Sequence, residues 1–179
     1  LGSIKNFVLK KNSFKKYKKE KISGIIGVGL NYLRKKIRDE VFKFDKKFEW
    51  ETIISINAVL NGKVDIGKGT LIMPGVIINT DSWIGDHVII NTSSSIDHDN
   101  KFNNFSSCAP GVITGGNVSV GNSSFLGIGS IVKQNISIGD HTVIGGSSYV
   151  NKNCLNKSVY FGVPIKKIKS RKVQDNYLK

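Results

Sequence analysis

Every sixth residue from Ile54 to Val150 falls in one register, and sixteen of its seventeen members are apolar, Cys108 included; only Thr114 breaks the row. Six is a multiple of the strand period of two, so one aliphatic per hexad always faces the same way. The next register holds Gly or Asn at twelve positions, from Asn61, Gly67 and Asn79 to Gly145 and Asn151. Both residue types tolerate positive φ, so the chain is expected to turn its corners there. Two positions before each aliphatic the residue is Ser, Thr, Ala or Val, except at Asn100 and Ile136. A small side chain suits a tight corner. The product is a solenoid of short strands that turns every six residues and stacks its aliphatics along the axis. A β-sandwich would lose phase within a few elements because its strands differ in length. Here the phase holds through all seventeen hexads.

Charge separates the ends from this repeat. The chain has 179 residues with 27 Lys+Arg against 13 Asp+Glu. Residues 1–50 hold 15 basic and 5 acidic residues, and 153–179 hold 7 and 1, whereas 51–152 hold 5 and 7. A nucleic-acid platform needs basic residues interleaved with exposed aromatics, and the middle lacks that mixture. The two cysteines, Cys108 and Cys154, form no CxxC pair, which argues against a disulfide framework and fits a reducing cytosol. The longest apolar run, Ile25 to Leu30, is far short of the roughly 20 residues that span a bilayer. The basic run before it resembles a signal peptide, but NYLRKK follows where a small-residue cleavage site belongs. The opening LGS reads as the remnant of a cleaved tag. The expected organisation is an N-terminal unit over 1–50, a repeat domain over 51–154 and a C-terminal extension over 155–179.

Against the regular background, residues 97–99 read Asp-His-Asp. His98 lies two residues past the inward Ile96, so it is predicted to project from a corner. Histidine titrates near neutrality and suits general-base work, and a flanking carboxylate would orient its ring. The other histidines, His87 and His141, lie in twin IGDH segments 54 residues apart. That is nine hexads, which places both at one corner as surface turn residues. No pair of histidines has the i, i+4 spacing of a zinc site, and no metal ligand is assigned.

The hexads resemble those of the hexapeptide-repeat acyltransferases. The resemblance implies a left-handed parallel β-helix with three hexads per coil, hence between five and six coils here. Within that family, NTSS at Asn91–Ser94, the acid-His-acid triplet, APG at Ala109–Gly111, GGNVSVG at Gly115–Gly121 and GVP at Gly162–Pro164 resemble the nucleotide-4-amino-sugar N-acetyltransferases and the related sialic-acid O-acetyltransferases. IIGVGLNYLRKKI at Ile25–Ile37 is similar to the last strand and helix of that family's small α/β, Rossmann-like N-terminal domain. The usual glycine-rich first turn is missing, so the nucleotide-sugar-binding unit is expected to be incomplete. Ser107, in FSSCAPG, stands where many relatives carry histidine.

The resemblance implies a cytoplasmic, acetyl-CoA-dependent N-acetyltransferase acting on a nucleotide-linked 4-amino-deoxy sugar in surface-glycan biosynthesis. It implies a homotrimer with sites between subunits and no metal. By the same resemblance His98 is the base and Asp99 its carboxylate partner, with Asp97 the other candidate. Asn91 lies near the reacting sulfur, and the Gly116 N–H holds the thioester carbonyl. GIGS at Gly127–Ser130, with Ile128, and IGGS at Ile144–Ser147, with Gly146, offer bare backbone to the cofactor's pantetheine arm. Lys166 is placed to meet a coenzyme A phosphate. Sugar O-acetylation is the nearest alternative; a zinc hydratase and a non-catalytic basic scaffold are more remote ones.

Overall fold

The computed structural model describes residues 23–178. From residue 53 the chain winds into a triangular parallel β-solenoid, each strand pairing with the one 18 residues on, as Ser95 pairs with Ile77 before it and Ile113 after it. Three faces result. The apolar face holds six strands, Val59–Leu60, Ile77–Ile78, Ser95–Ile96, Ile113–Thr114, Ile131–Val132 and Tyr149–Val150. The polar face holds five, Val64–Ile66, Ser82–Ile84, Lys101–Phe102, Ser119–Val120 and Ser137–Ile138. The third, termed the helix face, runs from Ile53–Ile54 through Ser107–Cys108 to Val143–Ile144. The C-terminal segment extends it with Ser158–Phe161, parallel, and Lys166–Ser170, antiparallel.

The six-residue row forms the core. From Ile72 to Val150 its aliphatics are buried and packed on one another, Cys108 included, and Thr114 is buried in line with them. Each such side chain contributes roughly 1.5–3 kcal/mol on burial. Ile54 and Leu60, in the first coil, remain 43% and 37% exposed. The small register is buried as well, at Thr70, Ser82, Ser94, Ser106, Ser124, Ser130, Thr142 and Ser148.

The glycine register owes its composition to a different cause from the expected one. From Ile66 to Ile144 positive φ falls three residues past each member of the row, and mostly at non-glycine residues such as Asp81, His87, Ser93, Asp99 and Asn117. Glycines directly after the aliphatic are needed for clearance between coils: a Cβ on Gly127 would lie 2.5 Å from Gly146 N, and one on Gly121 would lie 2.5 Å from Gly139 C.

Before the solenoid, strand β1 (Ser23–Gly24) pairs in parallel with β2 (Glu49–Trp50), and helix α1 (Asn31–Phe44) crosses between them. The described part of the expected N-terminal unit is therefore one βαβ turn, without a Rossmann-like sheet. Its first 22 residues, including LGS and the basic run at 10–21, lie outside the described residues. Helix α1 turns a polar stripe to the solenoid. Arg34, fully buried, donates to His87 O at 2.8 Å and Phe105 O at 2.9 Å, and to Val28 O at 2.8 Å on its own side. Burial lowers its pKa to about 10. Asn31 accepts from Ser107 Oγ at 2.7 Å and donates to Ser124 O at 3.0 Å.

His87 and His141 do share a corner, both with positive φ, but His87 is no surface residue. It is 3% exposed, stacked on Phe105 at 4.9 Å and edge-on to Trp50 at 4.9 Å. The N-terminal βαβ turn covers it, which the hexad pattern could not reveal.

Candidate active site

The corner joining the apolar face to the polar face carries the Asp-His-Asp triplet. Asp99 has φ 58°, a conformation Asp tolerates better than most residues. That turn folds its carboxylate back on the preceding ring, so Asp99 Oδ2 meets His98 Nδ1 at 2.7 Å. Asp97 is engaged otherwise. Its Oδ1 accepts the His98 N–H at 2.9 Å and the Asn79 amide at 3.2 Å. These two bonds, the His98 N–H first, lower the Asp97 pKa. The His98 pKa is raised, by the Asp99 hydrogen bond above all and then by the Asp97 charge.

Gly116, 18 residues on, forms the floor beneath the ring. A Cβ there would sit 2.5 Å from His98 Cε1 and 2.7 Å from Nε2, so only glycine admits the ring in this place. The Gly116 N–H donates to no acceptor among the described residues, whereas the equivalent N–H groups of His98 and Thr92 are capped by Asp97 and Asn91. Asp97, His98, Gly115, Gly116, Asn117, Gln134 and Asn135 line an open groove of about 280 Å³. Gln134 and Asn135 went unnoticed in the sequence, although counting two coils on from His98 and Asp99 finds them. The break in the aliphatic row also belongs here: Thr114 Oγ1 accepts the Asp97 N–H at 3.4 Å.

The remaining candidates lie across the apolar face, on its other edge. Asn91, Ile128 and Gly146 occupy the corner that joins it to the helix face, following the strands Ile89–Ile90, Phe125–Leu126 and Val143–Ile144. Gly146 stacks directly on Ile128, since a Cβ would lie 3.1 Å from Ile128 Cγ2, and Ile128 is 60% exposed. Lys166 pairs with Phe161, whose ring covers Gly145 beside Gly146. The chain therefore gathers His98, Asp97, Asp99 and Gly116 on one edge, and Asn91, Ile128, Gly146 and Lys166 on the other. The two sets do not meet within the chain. Ser107 faces neither; its hydroxyl is taken up by Asn31. Among the described residues, no group of three His, Cys, Asp or Glu could hold a metal ion.

No family model matches the chain. Solved structures do. It is similar to a GDP-perosamine N-acetyl transferase from Caulobacter crescentus, solved as a point variant with CoA and GDP-perosamine, at 32% identity and a TM-score of 0.82, over 88% of this chain and 75% of that one. PerB from Caulobacter crescentus, solved with CoA and GDP-perosamine, matches at 33% identity over the same shares, with a TM-score of 0.82. The acetyltransferase domain of PglB from Neisseria gonorrhoeae, solved with acetyl coenzyme A, matches at 25% identity and a TM-score of 0.77, over 80% of this chain and 69% of that one. The period of six, the stacked parallel coils and these relatives agree, and the chain belongs to the hexapeptide-repeat sugar N-acetyltransferases, a family built on the left-handed parallel β-helix.

Proposed function

We propose that the protein transfers the acetyl group of acetyl-CoA to the amino group of a nucleotide-linked 4-amino-deoxy sugar, with His98 as general base. One observation carries the mechanism: a histidine whose Nδ1 is held by Asp99 lies over a glycine whose N–H donates to no acceptor among the described residues. A carboxylate on Nδ1 favours the Nδ1–H tautomer and leaves Nε2 as the basic nitrogen. Nε2 takes the proton of the attacking amine as the N–C bond forms. The Gly116 N–H donates to the carbonyl oxygen as it gains negative charge, where a preformed donor acts most strongly. The thiolate of coenzyme A leaves as the tetrahedral centre collapses. The raised His98 pKa moves the acid limb of the rate upward from the ordinary histidine value, because the base is lost as pH falls through that pKa.

The split of the candidate residues between two edges supports a homotrimer. The apolar face presents Val59, Ile77, Ile113, Ile131 and Tyr149 to solvent in a ladder that Ser95 interrupts between Ile77 and Ile113. A homotrimer that buries this face would bring the Ile128–Gly146 edge of one subunit against the His98 edge of its neighbour. Ile128 lies thirty residues beyond His98, one and two-thirds coils or about 8 Å along the axis at the usual strand spacing, a reach suited to the pantetheine arm. Lys166 would then meet a phosphate, and Asn91 the sulfur end. The reading places the enzyme in the cytoplasm, in keeping with two free cysteines; no described helix is long and apolar enough to cross a membrane.

Thiol release from acetyl-CoA, measured with nucleotide-linked 4-amino sugars and with their 4-hydroxy counterparts, tests the acceptor. Turnover confined to the hydroxyl acceptors would overturn the amino-sugar reading. His98→Asn is expected to lower kcat by about 10²–10⁴-fold, the usual scale of general-base catalysis. Near-normal turnover by the folded variant would remove His98 from the mechanism.

A further inference from the structure

The small-residue register holds two oversized members, Ile136 and Asn100, and the polar one, Asn100, bonds to the Gly115 carbonyl at the groove. At Thr70, Ser82 and Ser124 the register's hydroxyl donates to the carbonyl fifteen residues on, at 2.8 Å to Gly85, 3.0 Å to Asp97 and 2.6 Å to Gly139. Each also accepts the N–H eighteen residues on. Position 100 holds asparagine instead, and it is 1% exposed. Its amide keeps the ladder bond, donating at 2.9 Å to Gly115 O, and adds bonds of 2.7 Å to Asp97 O and 3.1 Å to His98 O. Two amide hydrogens are shared among three carbonyls, an arrangement that orients the nitrogen inward. Oδ1 is buried and accepts from no donor among the described residues, which costs stability. A serine would satisfy the ladder without that orphaned oxygen.

We propose that Asn100 is a positioning residue for acetyl transfer, tying the backbone of the His98 corner to Gly115 so that the ring is held at a fixed height over the Gly116 N–H. Apart from Asn100, the His98 carbonyl is held by the Asn117 N–H at 3.0 Å. The ring itself is exposed, and its position depends on its backbone and on Asp99. A side chain that joins the carbonyls of Asp97, His98 and Gly115 makes base and oxyanion donor one rigid unit. This proposal rests on the reading of His98 as the base.

Asn100→Ser separates positioning from folding. Its melting temperature is expected to equal or exceed that of the wild type, because the ladder is satisfied and the orphaned oxygen is gone. Its kcat is expected to fall about tenfold at an unchanged KM for acetyl-CoA, the signature of misplaced catalytic groups rather than lost binding. The His98 ring, followed by NMR and assigned with His98→Asn, is expected to titrate at lower pH than in the wild type as its contact with Asp99 loosens. Asn100→Thr is the second variant, judged by the same three measurements. A folded variant with wild-type kcat and wild-type His98 titration overturns the proposal. So does loss of the fold in both variants, which would make Asn100 a folding residue. The titration requires no acceptor, so the two readings fail separately: an inactive wild type sinks the amino-sugar assignment, and an unmoved His98 sinks this one.

Discussion

At the scale of single residues, the site depends on one missing side chain. The His98 ring occupies the space a Cβ on Gly116 would fill, 2.5 Å from Cε1. Gly116→Ala must therefore push the ring outward, away from the N–H it overlies, and it does so without touching the core. Thiol-release kinetics are expected to show kcat reduced by about 10²-fold, the scale of an ångström's displacement of a reacting group, with the thermal transition close to wild type. Wild-type kcat would show that the ring tolerates the shift and that Gly116 is not its floor in catalysis. How much of this was legible differs from residue to residue. The row of aliphatics and the small register were readable because a multiple of the strand period fixes which way each side chain points. Asp97 and Asp99 could not be told apart by sequence, since both neighbour His98; the left-handed turn at Asp99 brings its carboxylate to Nδ1. The glycines were visible but their cause was not. Positive φ is a property of one residue, whereas clearance between Gly127 and Gly146 belongs to two coils and emerges only when they stack.

Among elements, the contact between α1 and the solenoid is polar where an apolar seam is the norm. Arg34 satisfies solenoid carbonyls at both coils it touches, and the aromatic stack of Trp50, His87 and Phe105 closes the same corner. The repeat pattern could place His87 at a corner but not beneath another element, because the covering residues lie outside the hexads. Burial makes the stack sensitive to acid. Desolvation first, and then the nearby Arg38 charge, lower the His87 pKa from the ordinary value to about 4. A histidine with a depressed folded pKa stays neutral in the native state while the unfolded chain takes up protons. Its contribution is thus complete above the unfolded histidine range, near pH 6.5, and fades as pH falls toward 4. His87→Phe keeps the stack and removes the titration. The wild-type melting temperature is expected to fall more steeply than that of His87→Phe between pH 7 and pH 5; parallel curves would show that His87 does not couple the corner to pH.

For the whole molecule, the arrangement of edges around the apolar face decides how a site can be completed. A single solenoid holds the proposed base on one edge and the proposed cofactor contacts on the other, with a ladder of exposed aliphatics between them. In the proposed threefold assembly opposite edges of neighbours would join, so that each site would draw His98 from one subunit and Ile128 from the next. Such heterologous pairing allows two inactive variants to repair each other. His98→Asn lacks the base, and Ile128→Asp, at an exposed position that the core does not use, sets a charge where the apolar arm would lie. Each alone is expected to be inactive or nearly so. Co-expressed and randomly assembled at equal amounts, they generate intact sites wherever the Ile128→Asp subunit supplies His98 and the His98→Asn subunit supplies Ile128, about one interface in four under closed cyclic symmetry. Kinetics of the purified mixture should recover roughly that share of wild-type kcat, and light scattering should give three times the chain mass. If the mixture is no more active than its parents while the mass is that of a trimer, each site is built within one subunit, and the edges assigned to the cofactor are wrong. If the mass is that of a single chain and the wild type is still active, the apolar face serves some purpose other than completing the site.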